Sequence, residues 1–122
     1  MNAAEFRALA LELPGVMESS HQGHADFRVR GRIFATLGYP DESHGMVKLS
    51  SDEQARRVRQ APALFAPAKG AWGEQGSTLV KLEPASPAIV RSALRSAWER
   101  LVQEETAANK SAARPKQRRT RS

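Results

Sequence analysis

Three arginines alternate along HADFRVRGRIFATLG, residues 24–38, as Arg28, Arg30 and Arg32. A guanidinium is a planar fork of donors that can hold a phosphate through two hydrogen bonds at once. At the end of a β-hairpin, three of them would make a phosphate-binding wing. They would equally keep an exposed sheet face soluble and guard its edge against aggregation. Lys48 and Lys81, on strands expected nearby, would extend such a wing. Lys116, Arg118, Arg119 and Arg121 near the C-terminus would add a non-specific electrostatic grip on any polyanion.

His21 and His24 form an H-x-x-H pair, with Asp26 and His44 as candidate neighbours. Two imidazoles and a carboxylate can hold zinc or iron with positions left open. That spacing suits a helix, where residues three apart share a face. Here the segment reads as strand and turn, so no metal site is assigned. The plainer roles are a hydrogen bond that fixes the strand entry and a solvent-facing ring. Ser19 and Ser20 beside His21 lack the elbow motif of a nucleophile.

The run KGAWGEQGST, residues 69–78, has phosphate-loop glycines but not the phosphate-loop order, because Lys69 precedes them and a strand follows. Its glycines suit a tight irregular turn. Trp72 then has two readings. It can cap the core edge with its indole N–H on a carbonyl, or it can stand exposed beside Lys69 and stack on a base or a small aromatic ligand.

The elements that must position these residues follow from local patterns. Phe6, Leu9, Ala10 and Leu13 repeat at helical spacing behind Asn2 and Glu5, a capping box, and Pro14-Gly15 ends the run. Residues 16–23 read as a first strand. Phe27 and Val29 alternate with Arg28 and Arg30 on a second, Gly31 marks a turn, and residues 32–38 return. Residues 45–50 are a further strand. Ser50 and Glu53 open a helix through about residue 60 whose polar side carries Arg56, Arg57 and Arg59. Residues 64–76 read as loop and 77–83 as a last strand. Ser86-Pro87 then starts a helix with Val90, Leu94, Ala97, Trp98 and Leu101 on one face. This order predicts an α+β two-layer sandwich, an antiparallel sheet with helices packed on one face.

Bulk composition narrows the class. The 122 residues are one domain's worth, with no cysteine for a disulfide, a thiolate metal site or a thiol nucleophile. The net charge of +6 is local: six of the 19 Lys and Arg, and none of the 13 Asp and Glu, lie in residues 106–122. Residues 1–105 are therefore formally neutral. The last stretch, TAANKSAARPKQRRTRS, has little to bury and is expected to be a disordered basic tail. No apolar run approaches membrane-spanning length, and the start lacks the pattern of a signal peptide. A cytoplasmic location is expected.

Taken together, LPGV at 13–16, the run from His21 to Leu37, Val47-Lys48-Leu49, the run from Pro62 to Leu82 and Ala97-Trp98 resemble the MmcQ/YjbR family. The resemblance covers roughly residues 3–104. One departure is Ser77, where the family often has tryptophan between glycine and threonine. The resemblance implies a CyaY-like α+β fold and a DNA-binding role through a double wing, with no established activity or cofactor.

The resulting expectation is a monomeric, non-enzymatic DNA-binding protein without cofactor or metal, of low sequence specificity. It would contact phosphates through the hairpin and the tail. The alternative is a small-molecule-binding or protein-interaction domain with a cleft near His21, His24, Lys69 and Trp72. A continuous patch of Arg28, Arg30 and Arg32 would favour the first, and a concave pocket walled by His21, His24 or Trp72 the second.

Overall fold

The computed structural model describes the backbone of residues 1–121 and, His21 apart, the side chains of residues 1–104. The basic-tail side chains expected to take part, Lys116, Arg118, Arg119 and Arg121, lie outside the described residues. The elements run α1 (Ala3–Leu11), β1 (Val16–His21), β2 (His24–Val29), β3 (Arg32–Leu37), β4 (His44–Lys48), α2 (Ser51–Gln60), β5 (Phe65–Pro67), α3 (Gly70–Glu74), β6 (Ser77–Lys81) and α4 (Pro87–Arg121).

One antiparallel sheet of order β1-β2-β3-β4-β6-β5 carries the helices α1 and α4 on one face. The α+β sandwich expected from the pattern is the fold observed. Two pieces of the expected 64–76 loop are instead regular: β5 forms an edge strand on β6, and α3 is a short helix.

Local signals explain most of the boundaries. The Asn2 side chain accepts from Glu5 N while Glu5 accepts from Asn2 N, so both halves of the capping box close α1. Ser50 caps α2 through Glu53 N, and Ser86 accepts from Ile89 N ahead of Pro87. The first two hairpins each turn on two residues with positive φ, Gln22-Gly23 at 51° and 81° and Arg30-Gly31 at 54° and 80°. That double left-handed conformation matches the twist of the flanking strands, and glycine adopts its second position without steric cost.

The apolar faces meet as their spacing requires. Phe6 and Phe27 are fully buried with ring centroids 6.1 Å apart, and Val90, Leu94 and Ala97 of α4 are fully buried over the sheet. A β-bulge breaks the simple alternation: Phe27 pairs with Ala35, but Arg28 pairs with Ile33. The extra residue, Phe34, turns into the core and is fully buried. Strict period-2 reading would have placed it on the opposite face.

The arginines of α2 also have structural work. Arg57 turns inward, donating to Glu53 Oε2 at 2.7 Å and to the Ser92 and Ser96 hydroxyls of α4, with its guanidinium 6.0 Å from the Phe65 ring centre. It clasps α2 to α4 instead of extending a phosphate-binding surface.

Candidate functional site

The three hairpin arginines do not form the continuous face expected of them. Arg28 donates from Nε and Nη2 to the two carboxylate oxygens of Asp26 at 2.8 and 3.1 Å, and Asp26 is fully buried. That carboxylate holds the guanidinium above its ordinary pKa, chiefly through the hydrogen bond. Arg30 is not on a strand; it occupies the left-handed first position of the turn and is exposed. Arg32 pairs with Val29, a core residue, so it leaves the sheet on the helix-covered side and reaches Glu104 of α4 at 3.5 Å. The bulge and the turn together separate what a continuous strand would have aligned.

A concave site lies instead on the other face of the sheet and runs round its end, with a volume of about 770 Å³. That is within the roughly 300–1,000 Å³ usual for small-ligand clefts. The register Asp26–Thr36–Met46–Leu79 places Thr36 and Met46 on the uncovered face, where they join the cleft lining. β3 pairs with β4 only from Ala35 to Leu37, so its first residues diverge from the end of β4. Ile33 lines the resulting gap with Lys48, and Arg100 and Leu101 of α4 enter the lining there.

Two aromatic rings stand over this surface. Tyr39, just after β3, and Trp72, in α3, meet edge to face with centroids 6.0 Å apart at 70°. Trp72 is 59% exposed. Of its two sequence readings, the exposed one is observed; the indole that donates to a carbonyl is that of Trp98, on Pro14 O at 2.9 Å.

The glycine spacing around Trp72 serves close packing. A Cβ on Gly73 would lie 1.8 Å from Ala68 O, and one on Gly76 would lie 1.8 Å from Leu49 O. Gln54 completes the support: its buried amide donates to Gly73 O, Ser77 O and Thr78 Oγ1. This buried polar clamp was missed in the sequence, where Gln54 looks like any polar position of a surface helix.

Charge in the cleft is one-signed. Arg32, Lys48 and Arg100 line it with His24, and no Asp or Glu does so among the described residues. Glu104 bridges two of the cations from beside the cleft, with Oε1 3.5 Å from Arg32 Nη2 and Oε2 3.1 Å from Arg100 Nε. Gln22, Gln75 and Ser77 supply neutral hydrogen-bonding groups. Ser77 is the position where tryptophan was expected by resemblance, and it now forms part of the wall.

The other predicted site residues fall elsewhere. Lys69 is exposed at the N-cap of α3 and does not line the cleft. Lys81 is exposed on β6, in register with His44. The backbone of His21 pairs with that of His24 across the first turn. Its side chain lies outside the described residues. His44 is held by Asp41, whose Oδ1 also accepts from the Ser43 hydroxyl and backbone. Ser43 and Asp41 both meet the same imidazole nitrogen, Nδ1, so this cluster is a loop clip and not a relay through the ring. No group of three or more His, Asp or Glu side chains gathers into a metal site among the described residues.

An antiparallel sheet with helices on one face and an aromatic-lined cleft on the other defines a small α+β protein. The chain belongs to the YjbR family, whose model matches residues 11–100. It is similar to the crystal structure of Deinococcus radiodurans protein DR2400, assigned the family-model domain DUF419. That likeness has a TM-score of 0.66 at 17% identity over 80% of this chain and 75% of that chain, and it shows the shared fold. No curated protein matches the chain. No helix among the described residues is long and apolar enough to cross a membrane.

Proposed function

We propose that the protein is a monomeric, cytoplasmic, non-enzymatic binding protein that takes its ligand in the open-face cleft. One observation carries this reading: Trp72, Tyr39, His24 and three cations from separate elements converge on one concavity. Such a surface offers a ring-stacking wall and fixed positive charge, the two requirements for an anionic aromatic ligand.

DNA binding is the second reading, and a specific observation supports it. Arg32 and Lys48, two of the residues expected to contact phosphate, both line the cleft. A nucleic acid would then be held at the cleft and at the exposed Arg30 turn, with Lys81 and the basic tail adding electrostatic attraction.

The test is to titrate the full chain with small aromatic anions, with single-stranded DNA and with duplex DNA, following ring resonances of Trp72, Tyr39 and His24. Shifts at these rings that disappear in Ser77→Trp, which fills the cleft wall, support the cleft reading. Duplex binding that leaves the three rings unmoved and is lost with Arg30→Ala and the tail's charges would replace it with the wing reading.

A further inference from the structure

We infer that the ligand of the cleft is nucleotide-like, an aromatic ring bearing an anionic group, and that Arg32 and Arg100 form its anion subsite, held in the free protein by Glu104. This rests on the reading of the cleft as the ligand site.

A single carboxylate bridges two guanidiniums brought together from β3 and α4. Both guanidiniums line the cleft, and Lys48 adds a third cation to the same lining. Cations gathered from separate elements repel one another unless an anion lies between them, and Glu104 supplies it. The Glu104 side chain is 41% exposed, and Arg32 and Arg100 are also solvent-accessible at 53% and 33%. Exposed pairs of this kind hold weakly, so the carboxylate can be exchanged for another anion at little cost. A phosphate carries more oxygens and more charge than a carboxylate and suits the guanidinium forks better.

The rest of the cleft selects what the anion is attached to. Trp72 is exposed and meets the Tyr39 ring edge to face, and Ile33, Met46 and Leu101 give the lining its apolar part. An unstacked base would gain a stacking partner there and have its apolar faces removed from water. A bare phosphate would leave the aromatic side empty, and a neutral ring would leave Glu104 in place. The same chemistry is presented by a free nucleotide and by an unstacked nucleotide of a single strand.

The experiment uses the full chain with thymidine, thymidine monophosphate, ribose phosphate and a short oligothymidylate as probes, read by calorimetry and by the ring resonances of Trp72 and Tyr39. Thymidine monophosphate is expected to bind about tenfold more tightly than thymidine or ribose phosphate. Glu104→Gln should tighten the monophosphate several-fold and leave thymidine unchanged, a gain that loss of structure cannot produce. Arg32→Ala and Arg100→Ala should each remove much of the monophosphate's advantage. Tighter oligothymidylate binding with a steeper salt dependence supports the subsite with a single strand as the source. Equal binding of the two supports it with a free nucleotide. Thymidine that shifts Trp72 and binds as well as its monophosphate would overturn the anion subsite while leaving the cleft reading intact. If no probe moves either ring, both readings fall.

Discussion

Arg28 closes a two-pronged hydrogen-bonded ion pair on Asp26, a carboxylate with no solvent exposure two residues earlier on the same strand. Strand periodicity puts both side chains on one face, and the neighbouring strands and their side chains bury the acid. The cation that looks most like a phosphate ligand is therefore the partner of a buried charge.

Replacing Arg28 takes this contact away from Asp26. Arg28→Ala is expected to destabilise the fold, because it removes a two-pronged charged hydrogen bond from a carboxylate with no solvent exposure. Arg28→Lys should recover part of this, since one ammonium cannot reproduce the fork. Urea unfolding checks both, and equal stability of wild type and Arg28→Ala would rule out this role. Weakened DNA binding in an Arg28→Ala protein would consequently need its folding measured first.

The Asp41 carboxylate is held at about 2, below its ordinary 3.8, first by the hydrogen bond from Ser43 and then by that from His44. A depressed carboxylate pKa means that folding favours the charged form. The contribution is full above the unfolded-state value and is lost as pH falls from about 3.8 through about 2. Thermal unfolding of wild type and Asp41→Asn across this range should show their difference shrinking towards the acid end. A difference independent of pH would contradict the linkage.

Arg57 is the clasp between α2 and α4, and burial pushes its pKa down, with Arg56 adding to the effect. Replacing it with alanine removes charged hydrogen bonds to Glu53, Ser92 and Ser96 and is expected to cost about 2 kcal/mol. Hydrogen exchange should rise in α2 before the sheet opens. Exchange rising uniformly over the whole domain would show that α2 has no separate dependence on the clasp.

Gly73 has no room for a side chain, because backbone oxygen of Ala68 occupies the place a Cβ would take. Gly73→Ala is expected to destabilise the fold by about 1–3 kcal/mol. It should also displace Trp72, seen as loss of the ring contact with Tyr39 in nuclear Overhauser spectra. An unchanged contact would mean that α3 can move without disturbing the cleft.

Most of the architecture was legible in the chain because it rests on local chemistry. Phe6, Leu9, Val90 and Leu94 repeat at helical spacing; Asn2, Ser50 and Ser86 carry the oxygens that cap helices; Phe27 and Val29 alternate along a strand. Each signal lies within a few residues of what it specifies. The bulge at Phe34 was not legible, since its cause is the fit of β2 to β3 and not any residue type. The short β5 and α3 were not legible either, because prolines and glycines disguise them and β6 and Gln54 hold them in place.

The candidate site divides in the same way. Trp72, His24, Arg32 and Lys48 are conspicuous residue types, and sequence alone singled each of them out. Tyr39, Arg100, Ile33 and Met46 carry no local mark and enter only because the sheet order sets β3 beside β4 and brings α4 across their divergent ends. Sequence by itself determined most of the helix and strand segments, most of the faces they bury and where the unusual side chains stand along the chain. The tertiary structure decided which cations are committed to buried or bridging acids and which ring meets which. Those outcomes depend on contacts between residues as far apart as Arg32 and Glu104, set by strand register and helix packing and not by local chemistry.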